Sequence, residues 1–106
     1  MNIKVVYIAG PITNNPDYLR DFNKMENQLI VAGYIVLNPA KLPQGLSYEQ
    51  YARIDFAKID AADAVIALPR WDESQGARLE VDYCRYIGKP VFFRIDALVK
   101  EGQGDD

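Results

Sequence analysis

Histidine is missing from all 106 residues, and cysteine occurs once, at Cys84. Without histidine there is no Ser-His or Cys-His nucleophile pair and no imidazole-ligated zinc. A single cysteine excludes an internal disulfide and a thiolate zinc cluster. Any catalysis must come from carboxylates, tyrosines and backbone dipoles. No apolar run approaches the roughly 20 residues of a membrane span, and no Lys/Arg cluster interrupts a formal net charge of −3. Gripping a nucleic-acid backbone takes a basic stripe, so neither a nucleic-acid polymer nor a membrane is an expected partner. The apolar run after Met-Asn-Ile-Lys is too short for a secretory signal and has the pattern of a strand. A cytoplasmic protein is therefore expected.

What is present reads as one small domain. Hydrophobic residues make up 49% and charged residues 25%, ordinary for a globular chain with a single core. The domain is expected over residues 1–99, with 100–106 (EGQGDD and the lysine before it) as a flexible tail. IKVVYIA (3–9), YIVLN (34–38), AVIAL (64–68) and PVFFRI (90–95) read as strands. Between them lie three helical patterns. In 17–32 the apolar face is Tyr18, Phe22, Met25, Leu29 and Ala32, closed by Gly33. In 47–62 it is Tyr48, Ala52, Phe56 and Ile59, with Ser47 and Gln50 forming a capping box. In 75–87 it is Leu79, Tyr83 and Tyr86, closed by Gly88.

Strands alternating with helices predict an α/β three-layer sandwich of the small Rossmann/flavodoxin-like kind, with a four- to five-stranded parallel sheet. Right-handed crossovers bring the loops after the strands to one sheet edge, where such folds bind ligands. Those loops are GPITNNP, NPAKLPQG and PRWDESQG.

The residues in and behind these loops each have a plain alternative. Gly10, Pro11, Ile12 and Thr13 form either an anion-facing turn or an ordinary turn, with Asn15 or Asp17 capping the next helix. The run lacks dinucleotide-fold and P-loop glycine spacing. Ser74 is a simple N-cap or, with Gly76 admitting close approach, a phosphate ligand at a helix N-terminus. Glu80 and Asp55 sit beside apolar stripes, as surface carboxylates also do. Asp60 and Asp63 oppose the dipole near a helix end, which suggests a loop-facing or functional role. Tyr7 is core, but its hydroxyl needs a partner if buried. Trp71 either stacks on a base or covers the sheet edge.

Together, YIAG (7–10), Asp55 eight residues before the Asp63 of ADAVIAL, and SQGARLE (74–80) resemble the nucleoside 2-deoxyribosyltransferase superfamily. That superfamily includes the 2′-deoxynucleoside 5′-phosphate N-hydrolases, and the match is to a short branch associated with phages and bacteria. The resemblance spans about residues 3–93. It implies that Glu80 is the nucleophile, that Asp55 is the acid serving the leaving base, and that Tyr7 positions the glutamate. It puts Ser74 where transferases of free nucleosides carry an aspartate and the monophosphate hydrolases a serine. The implied substrate is a nucleoside 5′-monophosphate or related nucleotide, with no cofactor, no metal and a homodimeric assembly. A non-catalytic nucleotide-binding protein with the same fold is the alternative.

Overall fold

The computed structural model describes residues 2–103. The elements are β1 (Val5–Ala9), α1 (Tyr18–Val31), β2 (Ile35–Leu37), α2 (Tyr48–Ala61), β3 (Ala64–Ala67), α3 (Gln75–Ile87), β4 (Val91–Phe92) and α4 (Ile95–Gln103). One-turn 3₁₀ helices at Pro39–Lys41 and Trp71–Glu73 precede α2 and α3. The four strands form one parallel sheet in the order β2-β1-β3-β4. This is the Rossmann/flavodoxin-like architecture expected, at the lower strand number.

Alternation along the strands builds a core on each face. Val6, Ile8, Ala64 and Ile66 point to one side and pack with Phe22 and Leu29 of α1 and Leu98 of α4. Tyr7, Ala9 and Val65 point to the other and pack with Ile59 of α2 and Cys84 of α3. Burying each large side chain contributes about 1.5–3 kcal/mol, and Phe22, Leu29, Ile59 and Leu98 are buried completely.

The expected helix ends hold. Ser47 Oγ accepts from Gln50 N–H at 3.1 Å, and Gln50 Oε1 accepts from Ser47 N–H at 2.9 Å. Gly33 and Gly88 end α1 and α3 at φ +96° and +77°.

Three expectations need correcting. The buried stripe of α3 is Ala77, Val81 and Cys84, whereas Leu79 and Tyr86 face solvent. Small residues let the helix lie close to the sheet, and the larger ones two positions on share the same 3.6-residue period. On α2, Tyr48 is 81% exposed, so the buried line runs through Asp55 and Ile59 instead. The fourth strand is two residues long, not six. Asp96 lies in the first turn of α4, where its Oδ1 accepts the Ala97 N–H, and Ile95, Leu98 and Val99 of this helix pack on the α1 core. The last turns of α4 occupy the segment expected as a tail as far as Gln103; residues 104–106 of that segment lie outside the described residues. No helix among the described residues is long and apolar enough to cross a membrane.

Candidate active site

Tyr7 is the middle residue of β1, paired with Leu37 on one side and Val65 on the other. Its ring is fully buried, so its hydroxyl needs a partner. That partner is Glu80 Oε2, to which it donates at 2.7 Å across 73 residues of chain. Glu80 reaches the position because it follows Ala77 and precedes Val81 and Cys84, at the margin of the buried α3 stripe.

Asp55, 8% exposed, enters from α2. Its carboxyl group is near enough to that of Glu80 for each to act on the other's proton affinity. Three elements thus bring Tyr7, Asp55 and Glu80 together on one face of the sheet. Cys84 lies one turn below Glu80, buried, with no disulfide partner.

The electrostatics follow from burial. Removal from water pushes Glu80 up to about 8, and contact with Asp55 adds to this while the Tyr7 hydrogen bond opposes it. Burial raises Asp55 to about 6, against the pull of Lys58 and its contact with Glu80. Burial also holds the Tyr7 hydroxyl protonated well above the usual phenol range, with Glu80 and Asp55 reinforcing the shift. The Cys84 thiol is raised to about 11, again chiefly by burial, and is inert at neutral pH. Two neighbouring carboxyl groups with raised affinities for a proton are an arrangement found where an acid and a base work side by side.

Ser74 is the N-cap of α3, its Oγ accepting from Ala77 N–H at 3.3 Å. A Cβ on Gly76 would meet no protein atom within 4 Å, so the space over the first turn of α3 is open. Glu80 lies six residues on, roughly 9 Å along the helix axis.

The GPIT turn is held by packing. A Cβ on Gly10 would lie 2.8 Å from Leu68 Cδ1, which ties the loop after β1 to the one after β3. Ile12 packs into the α1-side core, and Pro11 lines a groove of about 320 Å³ with Asp21, Lys24, Leu68 and Arg70. Thr13 is exposed. Asn15 holds the turn rather than capping α1: its Nδ2 donates to Pro11 O at 3.0 Å and its Oδ1 accepts from Asp17 N–H at 3.1 Å. Asp17, the N-cap residue, makes no side-chain capping bond.

Other singled-out residues lie outside the cluster. Asp63 Oδ2 accepts the N–H groups of Lys4 and Val5, both at 2.9 Å, clamping the starts of β1 and β3 and depressing its own pKa. Asp60 accepts from Tyr83 OH at 2.7 Å. Asp63 is thus loop-facing, one of the two roles expected for it, and both aspartates tie neighbouring segments together. The Trp71 ring tilts against Phe93 at 5.6 Å, with the Arg85 guanidinium 5.8 Å over it, and covers the β4 side of the sheet.

Arg70 was not singled out by its sequence. It sits at φ +67° in the left-handed region, which costs an L-residue energy that glycine escapes. Its guanidinium forks onto both carboxylate oxygens of Glu73 at 3.2 Å, neutralising one of the two acids before α3. The three-residue spacing of that pair is visible in the sequence; the backbone conformation is not.

Known proteins bear on this geometry in two ways. The model of a family described as a domain of unknown function, DUF4406, matches residues 4–93. Among solved structures, a 2-deoxyribosyltransferase from the psychrotolerant bacterium Bacillus psychrosaccharolyticus shares the fold with a TM-score of 0.66 at 25% identity, over 82% of this chain and 69% of that one. No curated protein matches the sequence. The resemblance to the nucleoside 2-deoxyribosyltransferase superfamily is borne out.

Proposed function

This chain belongs to the DUF4406 family, and we propose that it cleaves the N-glycosidic bond of a nucleoside 5′-monophosphate, with Glu80 as nucleophile. The observation that carries this is the part-buried Tyr7–Glu80 hydrogen bond with Asp55 beside it. The solved neighbour, a 2-deoxyribosyltransferase, supports the same class of chemistry.

In the proposed reaction the Glu80 carboxylate bonds to C1′ as the C1′–N bond breaks, and the bonding pair leaves with the base. Asp55, protonated, hands its proton to the departing nitrogen heterocycle. Tyr7 donates to Glu80 and fixes the carboxylate against the sugar. The glycosyl ester is then opened by water or by a second base. Asp55, now a carboxylate, takes the proton from that acceptor, and Glu80 is released. The division of labour is that of retaining glycosidases, by analogy.

In this proposal the 5′-phosphate is held at the N-terminus of α3. Ser74 Oγ accepts from the helix, which leaves its O–H free to donate, and the space over Gly76 is open. A carboxylate at position 74 would repel the phosphate. Arg70 offsets Glu73 there. A homodimer belongs to the same proposal, for which Tyr48 and Tyr86, 81% and 87% exposed, supply aromatic surface on α2 and α3.

The test is product analysis with a panel of ribo- and deoxyribonucleoside 5′-monophosphates. Free base released from one member by the wild type and not by Glu80→Gln is the expected result. If nothing is released while one nucleotide raises the melting temperature, the protein is a nucleotide-binding protein and the glycosidase proposal falls.

A further inference from the structure

The loop from β2 to α2 is held by side chains of both neighbouring helices. Its root is fixed to α1, where Glu26 accepts from Asn38 Nδ2 at 3.4 Å and pairs with Lys41 Nζ at 2.8 Å. Beyond that root, residues 42–47 form a strap. Gln44 Nε2 donates to Tyr18 OH of α1 at 3.3 Å. From α2, the Tyr51 hydroxyl donates to Pro43 O at 2.7 Å and accepts from Leu46 N–H at 3.3 Å. One phenol thus clasps both ends of a turn whose Gly45 stands at φ +95°.

The place of the strap in the fold gives this clasp a role. In the sheet order β2-β1-β3 the strap follows β2 and Ser74 follows β3, with Tyr7 on β1 between them. Strap and Ser74 therefore stand on opposite sides of the candidate site, at the edge where open parallel sheets take ligands. The Ser74 side offers a helix N-terminus, which favours an anion. The strap, LPQGLS, carries no charged residue, and its Leu42 and Leu46 are partly buried. Such a surface suits an uncharged, flat heterocycle. A second observation points the same way. One turn of α2 beyond Tyr51, on the same face, Asp55 keeps a buried Oδ1 with no hydrogen-bond partner. Buried polar atoms are nearly always satisfied, so this orphan marks a place where the N–H of a ligand completes the bonding.

We propose that Tyr51 is a positioning residue, whose hydroxyl holds the strap as the wall against which the nucleobase is seated beside Asp55. The inference rests on the nucleotide reading of the site, which places the phosphate at Ser74. Tyr51 takes no part in bond breaking. With the clasp made, the wall is preformed and seating a base does not have to order it. With the clasp lost, the turn is tied to the helices through Gln44 alone, and binding must fix a loose loop.

The test compares ligands with and without a base. Dissociation constants are measured for a panel of nucleoside 5′-monophosphates, and for ribose 5-phosphate and its 2-deoxy analogue, in a Glu80→Gln background that consumes no nucleotide. Tyr51→Phe keeps the ring and removes only the clasp. Gly45→Ala leaves Tyr51 intact and strains the turn instead, because the backbone is left-handed although a Cβ there meets no protein atom within 4 Å. Each should weaken the tightest nucleotide roughly fivefold and the sugar phosphates by less than about twofold. Exchange of the Leu46 amide hydrogen should be roughly tenfold faster in Tyr51→Phe, and circular dichroism checks that the variants fold. An equal loss for nucleotide and sugar phosphate, an unchanged nucleotide affinity or an unchanged Leu46 exchange rate overturns the proposal. If the parent protein binds no nucleotide, the reading of the site falls and this inference with it. If nucleotide affinity responds as expected while the wild type releases no base, the clasp stands and the glycosidase proposal falls.

Discussion

Replacing Glu80 with glutamine should make the protein more stable, and only at high pH. An unfolded glutamate loses its proton near 4.5, whereas the buried one holds it to about 8. Between those values the native state binds more protons than the unfolded chain, so stability falls as pH rises and levels off above about 8. At about 1.4 kcal/mol per pH unit, the full interval corresponds to roughly 4–5 kcal/mol. Local relaxation and water entry reduce such penalties, and roughly 2–4 kcal/mol is the loss expected. Glutamine copies the protonated side chain: its Oε1 accepts from Tyr7 and its Nε2 donates toward Asp55. Urea unfolding at pH 4.5 and pH 8.5 measures the effect. The two proteins should agree within about 1 kcal/mol at the lower pH and differ by roughly 2–4 kcal/mol at the higher, with equal m values. Asp63 does not confound the comparison, because its depressed pKa places its contribution below pH 4. A difference of the same size at both pH values would falsify the claim that Glu80 is held neutral by burial.

Four further outcomes are expected. Tyr7→Phe keeps the ring but leaves Glu80 Oε2 without its donor, at a cost of about 1–3 kcal/mol by urea unfolding, and under the proposed reaction kcat falls more than KM rises. Gly10→Ala drives a Cβ to 2.8 Å from Leu68, and overpacking of this kind should cost about 1–3 kcal/mol with no change in m value. Arg70→Gly should melt roughly 4 °C above Arg70→Ala, since only glycine relieves the left-handed backbone, and both should show a raised KM for a monophosphate with little change for the nucleoside. Asp63→Ala removes the acceptor for two backbone N–H groups and should cost about 1 kcal/mol at pH 7, a difference that fades as pH falls below the depressed pKa of the wild-type carboxylate.

The layered fold was legible because the first three strands close on glycine or proline and the helices between them begin or end on a strong signal such as Ser47 or Gly88. The site was legible through the joint resemblance of YIAG, Asp55 and SQGARLE, and only that way. By spacing alone Glu80 passes for a surface residue, because nothing local states that Ala77, Val81 and Cys84, rather than Leu79 and Tyr86, will face the sheet. Contact with β1 and β3 decides between two stripes of equal period, and that contact is long-range. Helix α4 was hidden for a related reason: RIDAL offers apolar residues to either a strand or a helix. The choice falls to Asp96 favouring the first helical turn and to Leu98 finding room beside α1. Asp63 was legible as loop-facing, but not its partners, the amides of Lys4 and Val5, which lie 59 and 58 positions away.

The strand order β2-β1-β3-β4 also sets a schedule. The first strand made lies inside the sheet and gains one neighbour from β2, 30 residues on by register, then its second only when β3 is available. Glu80 comes later still and meets Tyr7 across 73 residues, the kind of long-range closure that forms late. A chain emerging from the ribosome therefore has its tyrosine and aspartate in hand well before its glutamate, and no partly made chain has the three together. Assembly of the carboxyl pair waits on nearly the whole fold, so the cost of withdrawing Asp55 and, in part, Glu80 from water is imposed on a scaffold already able to bear it.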